Sequence, residues 1–237
     1  MEWQHIKAVI LDVDGTLYTQ GKLRRKMLYD LLGHYALRPW RLRDMLVLRR
    51  FRHEREKHVA YEGPDLEADQ YAWCADNRPQ AIPAIRRVVN RWMFEHPNQY
   101  LSGCMYPGIP EFFAALRARG ISIGIYSDYP AHAKLAAMNL AADVVISSTD
   151  AAVNRLKPNP RGLLLLAEEL GLAPEQCLFI GDRPELDGEC ARRAGMPFLL
   201  VEQQPLPEFD FYHGLTRQLR ATQTTTTHEP DPCTLQR

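Results

Sequence analysis

Apolar positions along the chain follow two regimes. From Ile109 onward, short apolar runs alternate with amphipathic stretches. Ile109 to Arg119 has helical spacing and is closed by Gly120, suited to the left-handed turn that ends many helices. The runs Ile121 to Tyr126, Val144 to Ile146, Cys177 to Ile180 and Phe198 to Val201 read as buried strands. Between them, Ala131 to Asn139, Leu163 to Leu170 and Glu185 to Ala194 read as helices, with Gly171 and Gly195 as stops. Ala8 to Leu11 reads as one further strand near the start. Short apolar strands alternating with helices predict a parallel sheet covered on both faces, an α/β fold of the Rossmann-like, doubly wound kind.

Residues from about Lys22 to Tyr100 show helical periodicity and no strand. Leu42, Met45, Leu46 and Leu48 offer one apolar face there; Val88, Val89, Trp92 and Met93 offer another. The predicted organisation is an α/β core from residues 1–18 and 105–210, interrupted by an all-helical insert over 19–104. From about Arg220 the chain carries a threonine run and two prolines with little to bury, so 220–237 is expected to be disordered. No internal repeat is present.

Composition narrows the possibilities. The 237 residues are 46% hydrophobic and 24% charged, with formal net charge +0. That balance fits a globular protein and supplies no global field toward nucleic acid or membrane. No apolar run approaches the roughly 20 residues needed to span a bilayer. The opening residues are too polar for a secretory signal. Cys74, Cys104, Cys177, Cys190 and Cys233 are scattered without a CxxC pair, as in a protein with reduced thiols. A cytoplasmic protein is expected, monomeric or homodimeric.

Candidate chemistry gathers at the predicted strand ends. Asp12 and Asp14 follow the first strand, with Gly15 and Thr16 behind them. Ser127 and Asp128 follow the second, Lys157 lies in Leu156-Lys157-Pro158, and Gly181-Asp182 precedes Asp187. Ligands of open α/β sheets bind at the carboxyl edge of the strands. Two carboxylates there are costly unless a cation uses them. A carboxylate can attack phosphorus once a metal offsets the charge, and a second acid can protonate the leaving alkoxide and then activate water. A lysine and a hydroxyl with nearby backbone N–H groups can hold the phosphoryl oxygens. Gly15 would let the backbone turn tightly beside the phosphate.

These motifs resemble the haloacid dehalogenase superfamily, strongly over about residues 6–20 and 105–202 and by position and helical character in between. The resemblance implies Asp12 as nucleophile and Asp14 as general acid/base. It implies Ser127 and Lys157 as phosphoryl-binding residues, with Gly15, Thr16 and Asp128 beside them. Mg²⁺ would be held by Asp12, Asp182 and the backbone carbonyl of Asp14, with Asp187 supporting the metal shell or the lysine. Asp14 favours cleavage of a P–O bond, since dehalogenase and phosphonate-cleaving members lack an acid there. The insert resembles the C1-type helical cap. The expected activity is Mg²⁺-dependent hydrolysis of a small phosphorylated metabolite through an aspartyl-phosphate. A sugar phosphomutase and a non-catalytic binding or regulatory protein are the alternatives.

Within the insert, Arg38, Arg41, Arg43, Arg49, Arg50, Arg52, Arg55 and Lys57 make a basic stretch, offset by Asp44, Glu54 and Glu56. A solvated face with pairs such as Arg52/Glu56 is the plainer expectation; recognition of an anionic group is the other. Trp40, Trp73 and Trp92 are expected in the insert's core or its contact with the sheet, and His53 and His58 at the surface. Asp128 could face the site or cap the next helix. Arg183 could pair with a nearby acid or only occupy a turn.

Overall fold

In the computed structural model, residues 3–204 and 206–225 are described, the side chains only as far as residue 221. Strand β1 (Ala8–Leu11) leads into a helical segment: α1 (Gln20–Ala36), α2 (Arg43–Lys57), α3 (Leu66–Ala72), α4 (Ile82–Val89), a π-helical turn at Asn90–Glu95, and α5 (Asn98–Leu101). There follow α6 (Ile109–Ala118), β2 (Ser122–Ser127), α7 (His132–Ala137), β3 (Val144–Ser147), α8 (Arg161–Glu169) and β4 (Cys177–Gly181). A π-helical turn at Pro184–Gly188 leads to α9 (Glu189–Ala194), β5 (Phe198–Leu200) and α10 (Phe211–Thr225). No described helix is long and apolar enough to cross a membrane.

The five strands form one sheet in the order β3-β2-β1-β4-β5, and every pairing is parallel. Ala8 sits opposite Ser122 on one side and Cys177 on the other, so β1 is central and buried. The two-residue alternation of the strands sorts their side chains into two cores. Val9, Leu11, Ile123, Ile125, Leu178 and Ile180 pack with Phe112 and Leu116 of α6, Leu135 of α7 and Tyr212 and Leu215 of α10. Ala8, Ile10, Tyr126 and Phe179 pack with Leu163 and Leu166 of α8 and Ala191 of α9. The chain runs outward from β1 through β2 to β3, then returns to the opposite side of β1 for β4. The switch point between β1 and β4 opens a crevice at the carboxyl edge.

Three expectations need correction. The region from 220 to 225 is helical, because α10 runs on through Thr225. Tyr212, Leu215 and Leu219, spaced i, i+3 and i+7, bury that helix against α6 and the sheet. The rest of the expected tail, with Cys233, lies outside the described residues. In α2 the buried residues are Phe51 and Arg55, whereas Leu42 is 52% and Leu46 65% exposed. Phe51 joins Tyr71, Cys74, Ala75, Ile85 and Val89 in a separate core of the helical segment. Trp92 is buried and Trp73 stacks on His58 at 4.0 Å, but Trp40 is exposed.

The helical segment is tied to the sheet's carboxyl edge by polar clasps. Asn154, in the left-handed region at φ 48°, accepts from the Leu66 amide at 2.6 Å and donates to the Gly63 and Pro64 carbonyls. Arg55 donates to the Asp128 carbonyl at 2.7 Å. Asn tolerates the left-handed region through its short polar side chain, and alanine does not. Asn154→Ala is expected to lower stability by about 2 kcal/mol, from three lost hydrogen bonds and a strained backbone. Asn154→Gly, which keeps the backbone, should lose less. Urea unfolding checks this, and an unchanged midpoint in the alanine variant would show that the clasp carries no stability.

Candidate active site

Of the sequence-predicted site residues, Asp12, Asp14, Asp128 and Lys157 line a cavity of about 1160 Å³ that α1 and α2 help to wall. Asp12 leaves β1 with its amide donating to the Ile180 carbonyl, so the last ladder bond of the sheet aims it at the crevice. Its carboxylate is 2% exposed. Oδ1 accepts from Lys157 Nζ at 2.7 Å and Oδ2 accepts from the Thr16 hydroxyl at 3.2 Å.

Lys157 is fully buried. Its ammonium also donates to Asp187 Oδ1 at 2.9 Å and to the Tyr126 carbonyl at 3.0 Å, and lies over the Tyr126 and Phe179 rings. Burial alone would lower its pKa, but the facing carboxylates Asp12 and Asp187 outweigh that and raise it. Asp187, from the π-helical turn, completes its bonding by accepting at Oδ2 from the Arg183 amide at 3.0 Å. Ser127 is buried, its hydroxyl accepting from the Tyr129 amide at 3.3 Å.

Oxygens of Asp12, Asp182 and Asp187 lie within 4.8 Å of one another. Asp182 Oδ1 is buried and has no hydrogen-bond partner among the described residues. Gly15, at φ 108°, makes this approach possible, since a Cβ there would lie 2.1 Å from Asp182 Oδ2. The tight backbone at Gly15 therefore clears room for a carboxylate. Burial, with the charges of Asp12 and Asp187, pushes Asp182 up to about 7. Burial likewise pushes Asp12 up to about 6, against the pull of Lys157. Three crowded carboxylates, one with an orphaned oxygen, are a donor set that fits a hard divalent cation such as Mg²⁺.

Asp14 lies outside that trio. Lys134 of α7, itself buried, bonds both Asp14 oxygens at 2.6 and 2.5 Å. The Tyr18 hydroxyl donates to Oδ1 as well, and Gln20 donates to the Asp14 carbonyl. Burial pushes Asp14 upward, yet Lys134 and Tyr18 outweigh it, and its pKa is lowered. Lys134 and Tyr18 were missed in the sequence. Lys134 left one signal: it is the one cation in an otherwise apolar helical stretch, Ala133-Lys134-Leu135-Ala136-Ala137.

Asp128 faces the site. Its Oδ2 accepts from Arg183 at 2.6 Å and its Oδ1 from the Ser148 hydroxyl at 3.1 Å; burial is outweighed by Lys157, Arg183 and Arg55, and its pKa is lowered. The basic stretch divides. Arg55 is buried, bonded to Gln70 and Asp128 and lying over the Tyr129 ring. Arg50 pairs with Asp76, while Arg49 and Arg52 line the cavity. The expected Arg52/Glu56 pair does not form among the described residues. His53 is exposed as expected, and His58 is half-buried against Trp73.

The raised acids fix the sign of a pH effect. Asp182 and Asp12 titrate near about 7 and about 6 in the folded, metal-free protein and near 3.8 when unfolded. The native state therefore binds more protons between these values, and metal-free stability is expected to fall as pH rises from about 4 through about 7. Mg²⁺ bound by the ionised acids should restore it, by about 2.7 kcal/mol at a hundredfold excess over Kd. Melting temperatures at pH 5 and pH 8, with Mg²⁺ and with EDTA, check both signs. No Mg²⁺-dependent rise at pH 8 would count against a metal at these acids.

A parallel sheet in this order, with an acid cluster and a buried lysine at its carboxyl edge, is a Rossmann-like α/β core that carries a candidate active site. The chain belongs to the haloacid dehalogenase-like hydrolase family, whose model matches residues 6–195. It is 37% identical over 123 residues to phosphoglycolate phosphatase from Escherichia coli (strain K12), covering 50% of this chain and 47% of that protein. Matches of this kind span about half the length of the first curated relatives. A longer match, to phosphoglycolate phosphatase from Salmonella typhimurium (strain LT2), is 28% identical over 213 residues, covering 82% of this chain and 80% of that protein. Among solved structures, a HAD phosphatase from Thermococcus onnurineus superposes with TM-score 0.54 at 24% identity, covering 84% of this chain and 87% of that one. A β-phosphoglucomutase from Clostridium difficile gives TM-score 0.58 at 15% identity, covering 91% and 99%. These likenesses establish the shared fold.

Proposed function

We propose that the chain is a Mg²⁺-dependent phosphatase of the cytoplasm that hydrolyses a small phosphorylated metabolite. The observation that carries this is the pairing of a buried, lysine-held carboxylate, Asp12, with the orphaned Asp182 oxygen beside it. The phosphatase relatives support the P–O chemistry, and the four described cysteines, all free, suit a reducing compartment. Asp12 attacks phosphorus, the bond to the leaving oxygen breaks, and that oxygen takes a proton from Asp14. Asp14 then takes a proton from water as the water attacks the acyl-phosphate, freeing Asp12 and inorganic phosphate.

Mg²⁺ would be held by Asp12 and Asp182, with Asp187 beside them, and supplies the positive charge that lets two anions meet. Asp187 holds Lys157 in place against Asp12. The Lys134 pair keeps Asp14 ionised in the substrate-free site, the form that the water step needs. To act as an acid, Asp14 must first be released from Lys134, as an incoming phosphoryl oxygen competes for the ammonium, and must take up a proton from solvent before the leaving oxygen departs. The helical segment, residues 19–104, acts as a cap over the cavity and selects the substrate. A phosphate-release screen over sugar phosphates, nucleotides, phosphoglycolate and phosphoamino acids, with Mg²⁺ and with EDTA, tests this. Metal-dependent release from one class is the expected result; release from none would overturn the reading.

A further inference from the structure

Arg183 stands just past the end of β4, and its side chain reaches across to the end of β2. Nη2 donates to Asp128 Oδ2 at 2.6 Å. Asp128 is itself held, by Arg55 at its backbone carbonyl and Ser148 at Oδ1. The guanidinium is therefore oriented rather than free to swing, and it lines the cavity beside Asp12 and Lys157. Its Nε is buried without a hydrogen-bond partner among the described residues. Asp182 Oδ1 and Asp187 Oδ2 each lie 3.9 Å from it, beyond hydrogen-bond reach.

Two orphans of opposite polarity thus face each other. The Asp182 oxygen lacks a donor or a cation, and the Arg183 nitrogen lacks an acceptor. Buried polar groups left this way mark a missing partner. The two lysines near the acids already hold carboxylates in the substrate-free site. A lysine ammonium has three donors, and Lys157 directs them to Asp12, Asp187 and the Tyr126 carbonyl. Lys134 is engaged with both oxygens of Asp14. Arg183 Nε, by contrast, is a donor beside the cavity that makes no hydrogen bond among the described residues.

We propose that Arg183 binds the phosphoryl group directly, Nε–H donating to a non-bridging oxygen while Asp128 holds the Nη2 end of the guanidinium. Charge-assisted bonds of this type strengthen as negative charge builds on the phosphoryl oxygens. The inference rests on the phosphatase reading, so its test includes a binding arm that needs no turnover.

The test compares the full chain with Arg183→Lys, which keeps a cation for Asp128 but loses the planar fork. Hydrolysis of p-nitrophenyl phosphate and calorimetric binding of inorganic phosphate are measured with Mg²⁺, alongside melting temperature. The expected result is a folded variant with kcat/KM lower by about 100-fold and phosphate Kd weakened by about tenfold or more. Arg183→Gln is paired with Asp128→Asn to avoid leaving a buried carboxylate alone, and the double variant should show the same two losses. A folded Arg183→Lys protein with both values within about twofold of wild type would overturn the inference and leave Arg183 as a partner for Asp128 only. So would wild-type protein that binds no phosphate. Wild-type protein that releases no phosphate from any ester, yet binds it in an Arg183-dependent way, would sink the phosphatase reading and sustain the inference.

Discussion

Asp12→Asn is expected to abolish phosphate release, lowering kcat by about 10⁴-fold or more, the scale seen when a covalent nucleophile is removed. The amide has the shape of the carboxylate but neither the charge nor the nucleophilicity. Thr16 can still donate to the side-chain oxygen, and Lys157 keeps Asp187 and the Tyr126 carbonyl as acceptors. The fold should survive, because burial already disfavours the Asp12 charge and pushes its pKa up to about 6. Removing that charge relieves crowding with Asp182 and Asp187 and should leave metal-free stability at pH 8 unchanged or higher. Hydrolysis of p-nitrophenyl phosphate with Mg²⁺, together with urea unfolding, separates the two effects. Full Mg²⁺-dependent turnover by the variant would move the nucleophile to another residue.

The parts of the site carried by strand ends were legible in the sequence. Asp12, Ser127 and Asp182 each follow an apolar run whose length fixes where the strand stops, and the parallel sheet then brings those ends to one edge. Lys157 was legible by its resemblance to a motif, although its place between Asp12 and Asp187 depends on tertiary packing. Lys134 was not, because its helix is read from apolar spacing and nothing local says that one lysine turns back toward β1. The α2 face was misread for a related reason. That helix buries Phe51 and Arg55 on one side and turns Met45, Leu48 and Arg49 toward the cavity, so apolar residues occupy more than one face. Helix α10 did carry a signal in Tyr212, Leu215 and Leu219. The polar residues between them diluted it, and burial against α6 decided the outcome.

Lys157→Met is expected to cost about 3–5 kcal/mol of stability in metal-free protein at pH 8, as breaking a buried ion pair from one side does. Methionine fills the space between the Tyr126 and Phe179 rings, so the loss is electrostatic rather than a cavity. Asp12 and Asp187 would be left facing each other with Asp182 beside them. The pKa values of Asp12 and Asp182, already raised, would climb further above those of the unfolded chain. By linkage the native state then holds extra protons above about pH 4 and must shed them as pH rises further, so the penalty should be small near pH 5 and large at pH 8. Adding Asp12→Asn to Lys157→Met removes one of the abandoned charges, so the double variant should be more stable than Lys157→Met alone, a non-additive result. Mg²⁺ should recover part of the loss by taking the place of the ammonium as counter-charge, yet turnover should stay low, because the cation that positions Asp12 is gone. Urea unfolding at the two pH values, with and without Mg²⁺, measures these terms. A Lys157→Met protein within about 1 kcal/mol of wild type at pH 8 would mean that the three acids do not depend on Lys157, and that the buried cluster is neutralised by protons alone.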